Sequence, residues 1–167
     1  MKKFKTIKEW TTKAGFPAKM TINYMGTVNG YVGVPSTHAF AGLDYYVYSI
    51  PFEEWGEWTQ ESIDAQRYVN NLEVHGGLTY AKSNWPNEKD DVWVFGFDTC
   101  HSGDAYNVAA AIRHLSESDQ DTDELLEQRG PHNFSEDIYR DEIYVEDQCE
   151  NLAEQIKGYN NDISREK

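Results

Sequence analysis

The sequence has no long hydrophobic run and few cysteines. No stretch of about 18 or more consecutive apolar residues occurs, so no segment is expected to cross a membrane as a helix. The basic start, MKKFKTIKEW, lacks the apolar segment that must follow in a secretory signal. The two cysteines, Cys100 and Cys149, suit free thiols rather than a disulfide framework. We therefore expect a cytoplasmic protein with no membrane partner.

Basic residues are also scarce. The chain has 15 Lys and Arg against 29 Asp and Glu, for a net charge of −14. The excess is concentrated after Ser116, where 16 acidic and 5 basic residues give −11. Direct nucleic-acid binding is not expected, because it requires a basic surface. The acidic charge either keeps the protein soluble or fits a basic protein partner, such as the DNA-binding groove of a nuclease.

Several signatures of cofactor binding are missing. The chain has no Walker phosphate loop, no dinucleotide fingerprint and no Cys-x-x-Cys metal pattern. No cofactor is therefore indicated. The His and Asp residues would allow a divalent metal, but their spacing does not point to one.

Strand patterns dominate the first half of the chain. The composition, 39% hydrophobic and 14% aromatic, is typical of one folded domain over residues 1–167, with an acidic, partly mobile segment at about 116–137. KTIKEWTTKAG is interpreted as a short helix or lead-in, and AKMTINYMGTVNGYVGVP as a hairpin with a bulge near Gly30. YYVYSIPF is interpreted as a strand that Pro51 ends.

Helix patterns dominate the second half. A short helix is expected after an N-cap at Thr59, then strands in NLEVHGGLTYA and VWVFGF, then helices in AYNVAAAIRHLSE and DEIYVEDQCENLAEQIKGY. Gly158 is expected to end the last helix. Its apolar stripe consists of Val145, Cys149, Leu152, Ala153 and Ile156. This order predicts an α+β fold, a small antiparallel sheet of hairpins with helices mainly in the C-terminal half.

The stretch VWVFGFDTCHSGD changes from a buried-looking strand to a polar cluster. The loop that joins the strands of His75 and Asp98 has only about ten residues, too few for a helical crossover, so an antiparallel hairpin is predicted. A loop centred between Pro86 and Asn87 places His75 opposite Asp98. His75 then falls at the same end of the sheet as Cys100, His101 and Asp104.

Such a cluster can do chemistry. A carboxylate beside an imidazole fixes the tautomer and raises the basicity of the ring, which suits a general base or a metal ligand. The candidate catalytic residues are His75, His101 and Asp98. The candidate ligand-binding residues are His38, Gly76, Gly77, Ser102, Gly103 and Asp104. The glycines would let a ligand reach backbone N–H groups. The alternative is a polar turn that caps the next helix, with His75 a core histidine bonded to Asp98.

FDTCHSGD, with VHGG upstream, resembles the cysteine-protease signature of metacaspases. That resemblance implies His75 as base and Cys100 as nucleophile. The family has parallel strands with a helix between its His and its Cys, whereas this chain has a short Pro-containing loop there.

A second resemblance covers roughly Gly30 to Ile156. The order NGYVGVPSTHAFAG, LEVHGGLTYA, WVFGFDTCHSGD and a closing LAEQI helix is similar to a family of small phage and prophage proteins. It implies viral origin, action in the host cytoplasm and a role against host defence. It points to His38, His75, Asp98, His101 and Asp104.

Three functional hypotheses follow. In the first, the site binds or hydrolyses a small phosphorylated or nucleotide-like ligand, with His75 or His101 as base or acid, Asp98 as orienter and the glycine backbone as anion cradle. In the second, the chain is a non-enzymatic acidic inhibitor of a basic host defence protein, a nucleic-acid mimic of the anti-CRISPR or antirestriction type. In the third, it is a cysteine protease that uses Cys100.

Overall fold

A computed structural model describes residues 4–50, 54–86, 88, 90–115 and 133–165. Within these residues the chain has the predicted α+β fold, a five-stranded antiparallel sheet with three helices. The strands are β1 Phe4–Thr11, β2 Pro17–Asn23, β3 Val28–Pro35, β4 Tyr80–Ser83 and β5 Val92–Phe97. The helices are α1 Gln60–Asn70, α2 Val108–Leu115 and α3 Glu142–Arg165.

The strands lie in the order β1-β2-β3-β5-β4, and every neighbouring pair is antiparallel. The central pair, β3 and β5, runs from Gly30 opposite Phe97 at one end to Pro35 opposite Val92 at the other. In an antiparallel pair, one strand begins at the edge of the sheet where its neighbour ends. The loop after β5 and the loop before β4 therefore meet at the Gly30 end.

Helix α3 covers one face of the sheet. Met20, Gly30 and Phe97 are paired across three strands and so share that face. The predicted apolar stripe of α3 is fully buried against it: Val145, Cys149, Leu152, Ala153 and Ile156. Removing each large side chain of this stripe from water contributes about 1.5–3 kcal/mol to folding.

The opposite face holds a smaller cluster of Tyr31, Trp85 and Val94. Gly33 makes room for the indole of Trp85, since a Cβ there would lie 2.9 Å from the ring. The central strands are thus covered on both faces, which explains why β5 is a nearly continuous apolar run.

Three expectations about the N-terminal half are wrong. KTIKEWT is not helical but lies in β1, where pairing with β2 decides its conformation. The irregularity in register lies in this pair, between Thr6 and Lys8, and the ladder around Gly30 is regular. Residues 45–50 of YYVYSIPF form no strand, and residues 51–53 lie outside the described residues. Val47 instead exchanges two hydrogen bonds with the side chain of Asn70.

Gly30 has a packing role. A Cβ at this position would lie 2.7 Å from the Sγ atom of Cys149 and 2.5 Å from the ring of Phe97. Glycine therefore lets α3 approach the sheet closely.

Two expectations about later elements are also wrong. The strand in NLEVHGGLTYA begins only at Tyr80, because Gly76 and Gly77 adopt positive φ values of 66° and 83° and form a turn. Helix α3 does not stop at Gly158 but continues to Arg165. Gly158 lies beside the hydroxyl of Tyr68, to which a Cβ would come within 2.9 Å.

The N-terminal cap of α1 is confirmed. The side chain of Thr59 accepts from the backbone of Ser62, and the Ser62 hydroxyl accepts from the backbone of Thr59, so the two form a capping box.

Residues 116–132 of the acidic segment lie outside the described residues. Among the described residues, every helix is too short or too polar to span a lipid bilayer.

Candidate functional site

The candidate site lies at the Gly30 end of the sheet and is built by three segments. The turn before β4 supplies His75, and the loop after β5 supplies Asp98, His101 and Asp104. The start of α3 supplies Tyr144, whose hydroxyl reaches His75. The prediction that the polar residues around β4 and β5 gather at one end of the sheet is confirmed.

Hydrogen bonds at both nitrogens fix the ring of His75. Its Nε2 lies 2.8 Å from Asp104 Oδ2, and its Nδ1 lies 2.9 Å from the Tyr144 hydroxyl. The backbone N–H of His75 donates to Gln148 Oε1 at 2.8 Å. Because an ionised carboxylate only accepts, Nε2 carries the proton, and in the neutral ring Nδ1 accepts from Tyr144.

Asp104 is the buried centre of this network, with only 3% of its side chain exposed. Besides His75, its Oδ2 accepts from the backbone N–H of His101 at 3.0 Å, and its Oδ1 accepts from Arg140 Nε at 3.2 Å. Burial favours the neutral acid, but the hydrogen bonds from His75, His101 and Arg140 outweigh it and lower the pKa of Asp104. Asp104 is therefore an ionised carboxylate at neutral pH.

The imidazole of His101 lies close to the same carboxylate. Its Nδ1 lies 3.4 Å from Asp104 Oδ2 and 3.7 Å from Asp98 Oδ1. This nitrogen is buried and has no hydrogen-bond partner among the described residues. The ring of His101 packs on the turn at Gly76, where a Cβ would lie 2.2 Å from Cε1. Gly76 is thus required both by its positive φ and by the position of His101.

The predicted pairing of His75 with Asp98 is wrong. Tyr80 pairs with Gly96 rather than Trp93, so the register differs by three residues from that of a loop centred between Pro86 and Asn87. The turn at Gly76 also takes His75 out of the strand. Asp98 instead accepts from the Thr79 hydroxyl and, by its other oxygen, from the backbone N–H of Cys100.

His38 does not belong to this site. It follows β3 at the Pro35 end, whereas the site lies at the Gly30 end. Its Nδ1 accepts from the backbone N–H of Phe40, and its ring packs edge-on against Phe16 and Phe40. Burial lowers the pKa of His38. Its role is in packing around the Pro35 end of the sheet.

The other predicted ligand-binding residues surround the cluster on its solvent side. Gly77, Ser102 and Gly103 are exposed, and the two glycines adopt positive φ values of 83° and 91°. A Cβ at either glycine would have no neighbour within 4 Å, so the positive φ values rather than steric crowding account for glycine at these two positions. The carbonyl of Gly103 accepts from the N–H of Ile138, which attaches the segment that carries Arg140.

Cys100 and Cys149 are both free thiols, as predicted. Cys100 is exposed, and its Sγ lies 3.7 Å from the Tyr106 hydroxyl. The nitrogens of His75 are bonded to Asp104 and Tyr144, and β4 and β5 are antiparallel. This arrangement differs from the parallel strands that the metacaspase resemblance implies.

Sequence reasoning missed three residues that support the site: Arg140, Tyr144 and Gln148. Tyr144 and Gln148 lie four residues apart in α3 and both bind His75, so helical spacing next to the apolar stripe was the available signal. For Arg140, the available signal was its position as a single basic residue within an acidic stretch.

The chain matches no protein-family model, and neither a curated protein nor a solved structure shows significant similarity to it. The chemistry of the site must therefore be inferred from its geometry. One nitrogen each from His75 and His101 and one oxygen from Asp104 all lie within 4.8 Å of one another. Such a group can orient and exchange protons, or it can hold a metal ion.

Proposed function

We propose that this chain is a phage-type accessory protein that counters host defence in the host cytoplasm, and that it binds or hydrolyses a small phosphorylated, nucleotide-like ligand. The site is formed by His75, His101 and Asp104. One observation carries the ligand-handling proposal: two histidines from separate segments converge on one buried, ionised carboxylate. The viral role is supported by the resemblance of the sequence motifs to phage proteins.

The position of His101 favours a functional site over a polar turn. If the turn served only to attach the loop to α3, the hydrogen bonds of His75 with Asp104 and Tyr144 would be sufficient. The fold gains no hydrogen bond from Nδ1 of His101 among the described residues, although the atom is buried. Buried polar atoms without partners cost about 1–3 kcal/mol each, and in native proteins they call for a specific explanation.

Two glycine-containing turns and one guanidinium surround the site at His101. The turns at 76–77 and 102–103 flank it with glycine, which keeps side-chain bulk away and suits a ligand that contacts backbone. Arg140 places one guanidinium beside Asp104, about a quarter exposed. In this proposal His75 or His101 exchanges a proton with the ligand.

The test is a panel of nucleoside phosphates and cyclic dinucleotides. Binding is followed by calorimetry and turnover by chromatography, for the wild type and for His75→Ala and His101→Ala. We expect both variants to lose binding or turnover while circular dichroism stays unchanged. His114→Ala is the matched control, a partly exposed histidine that also faces a carboxylate, Glu142.

Cys100→Ala is a second control. It should retain ligand handling, because His75 is bonded to Asp104 and Tyr144 rather than held for the thiol. Loss of activity in this variant, with the fold intact, would instead favour the cysteine-protease hypothesis. Wild-type behaviour of both histidine variants would refute the site.

The net charge of −14 supports one alternative, an acidic inhibitor of a basic host defence protein. Under that hypothesis, neutralising Asp119, Asp121, Asp123 and Glu124 should abolish partner binding, and binding should weaken steeply with salt. These four residues lie outside the described residues. If the histidine site is the working site, their neutralisation should leave ligand binding unchanged.

A further inference from the structure

We propose that His75, His101 and Asp104 bind a divalent transition-metal ion of the zinc class, through His75 Nε2, His101 Nδ1 and Asp104 Oδ2. This inference builds on the proposed function, because it names the group that would hold the phosphorylated ligand. The ligand atoms come from the turn before β4 and the loop after β5.

The separations of these atoms fit a shared ion. Asp104 Oδ2 lies 2.8 Å from His75 Nε2 and 3.4 Å from His101 Nδ1, and one ligand atom of each of the three residues lies within 4.8 Å of the other two. Ligand atoms that bind one Zn²⁺ at its usual bond lengths lie about 3–3.5 Å apart. Small side-chain rotations would therefore bring the set to coordination distance.

The groups that hydrogen-bond the metal-binding side chains are of the kind found around metal sites. Metal-binding histidines commonly donate their second N–H to an oxygen, and Tyr144 places one 2.9 Å from Nδ1 of His75. Metal binding at Nε2 would move the ring proton to Nδ1, so the ring remains neutral and Tyr144 changes from donor to acceptor. Arg140 holds Oδ1 of Asp104, and Oδ2, which also accepts from the backbone N–H of His101, is the oxygen that faces both imidazoles.

Charge explains why a phosphorylated ligand would need this ion. Asp98 and Asp104 place two carboxylates near His101, against the single guanidinium of Arg140. An anionic phosphate would meet a site without net positive charge. A divalent cation reverses that balance, and with three protein ligands it keeps a position open for a phosphate oxygen or water. Two imidazole nitrogens favour zinc-class metals over Mg²⁺ or Ca²⁺.

The experiment measures metal binding without any phosphorylated ligand. The full chain is stripped with chelator and titrated with Zn²⁺ by calorimetry and with Co²⁺ by visible absorption. We expect one ion per chain and a Co²⁺ spectrum without a thiolate charge-transfer band. His101→Ala is the decisive variant, because the side chain is one-third exposed and its Nδ1 makes no hydrogen bond among the described residues; circular dichroism of the variant checks that it folds.

His101→Ala and His75→Ala should lose stoichiometric binding, and His114→Ala should bind as the wild type does. Tyr144→Phe should keep the stoichiometry but weaken the affinity about 10- to 100-fold, the usual effect of removing a partner of a ligating histidine. The metal site would be overturned if the wild type bound no stoichiometric ion, or if both histidine variants bound the ion with the affinity of the wild type.

A second arm repeats the phosphorylated-ligand panel on the stripped and the zinc-loaded protein. Ligand binding only to the loaded form supports the inference. Equal ligand binding by both forms overturns the inference and leaves the proposed function standing. Zinc bound at the three residues with no ligand bound by either form would refute the proposed function while the metal site stands.

Discussion

Asp104 is the residue on which the geometry of the site depends. It accepts hydrogen bonds from His75, from the backbone of His101 and from Arg140, which belong to three different segments. These bonds keep it ionised despite its burial and fix the imidazole of His75 against the carboxylate.

Burial distinguishes the two cysteines at the residue scale. Burial raises the pKa of Cys149 to about 12, whereas Cys100 is exposed. Because the thiolate is the reactive form, we predict that an aromatic disulfide reagent labels one thiol of the native chain and two after unfolding. Cys100→Ser should abolish the native labelling. Labelling of Cys149 in the native Cys100→Ser variant would contradict the buried position.

His38 gives a pH-dependent prediction. Burial lowers its pKa in the folded state below the ordinary value of 6.5, so the unfolded chain takes up the proton first as pH falls. Its contribution to stability is therefore fully present above pH 6.5 and is lost as pH falls through the folded pKa. Protonation of Nδ1 would also break the bond from the Phe40 N–H.

The measurement is urea unfolding of the wild type and His38→Asn at about pH 7.5 and about pH 5.5. The asparagine amide oxygen can still accept from the Phe40 N–H, but the side chain does not titrate. The variant should therefore lose less stability on acidification than the wild type. An equal loss in both proteins would show that His38 does not contribute.

At the scale of elements, α3 connects the core with the site. Its stripe from Val145 to Ile156 packs on the sheet, and Tyr144 and Gln148, on an adjacent part of its surface, bind His75. The position of the helix on the sheet therefore sets the position of the imidazole. A change in helix packing should affect the site even when no site residue is altered.

Gly30→Ala tests the close packing of α3 on the sheet. The added methyl would collide with Phe97 and with Sγ of Cys149, which are core atoms with little freedom to move. We predict a loss of about 1–3 kcal/mol in the free energy of unfolding, measured in urea. Gly56→Ala is the control: a Cβ there meets nothing within 4 Å, and its effect should stay within about 0.5 kcal/mol. Equal effects of the two substitutions would refute the close contact of α3.

On the scale of the whole molecule, the acidic charge and the proposed metal are linked. A chain of net charge −14 attracts cations in general, so only site-specific binding is informative. An ion that binds the native state alone stabilises it by about 2.7 kcal/mol at a concentration 100 times its Kd. We therefore predict that zinc raises the Tm of the wild type and that a chelator reverses the rise.

His101→Ala should show no zinc-dependent rise, and His114→Ala should show the full rise. The measurement is thermal unfolding followed by circular dichroism at fixed ionic strength. A rise of the same size in His101→Ala would assign the effect to adventitious binding by the acidic surface.

Local patterns in the sequence determined much of the fold. The N-cap at Thr59, the apolar run of β5 and the helical stripe from Val145 to Ile156 are properties of neighbouring residues, and each appears as predicted. The short loop after β4 excluded a helical crossover, so the antiparallel pairing of β4 and β5 also followed. From that pairing came the meeting of His75 with His101 at one end of the sheet.

Only the tertiary structure decided which partners these residues have. Residues 4–11 form β1 because their backbone pairs with that of β2. The register of β4 on β5 places His75 away from Asp98. The carboxylate that binds His75 is Asp104, and its second partner, Tyr144, comes from a helix 69 residues further along the chain. Periodicity reports only which face a residue occupies, whereas such contacts depend on how turns, register and helix packing combine in three dimensions.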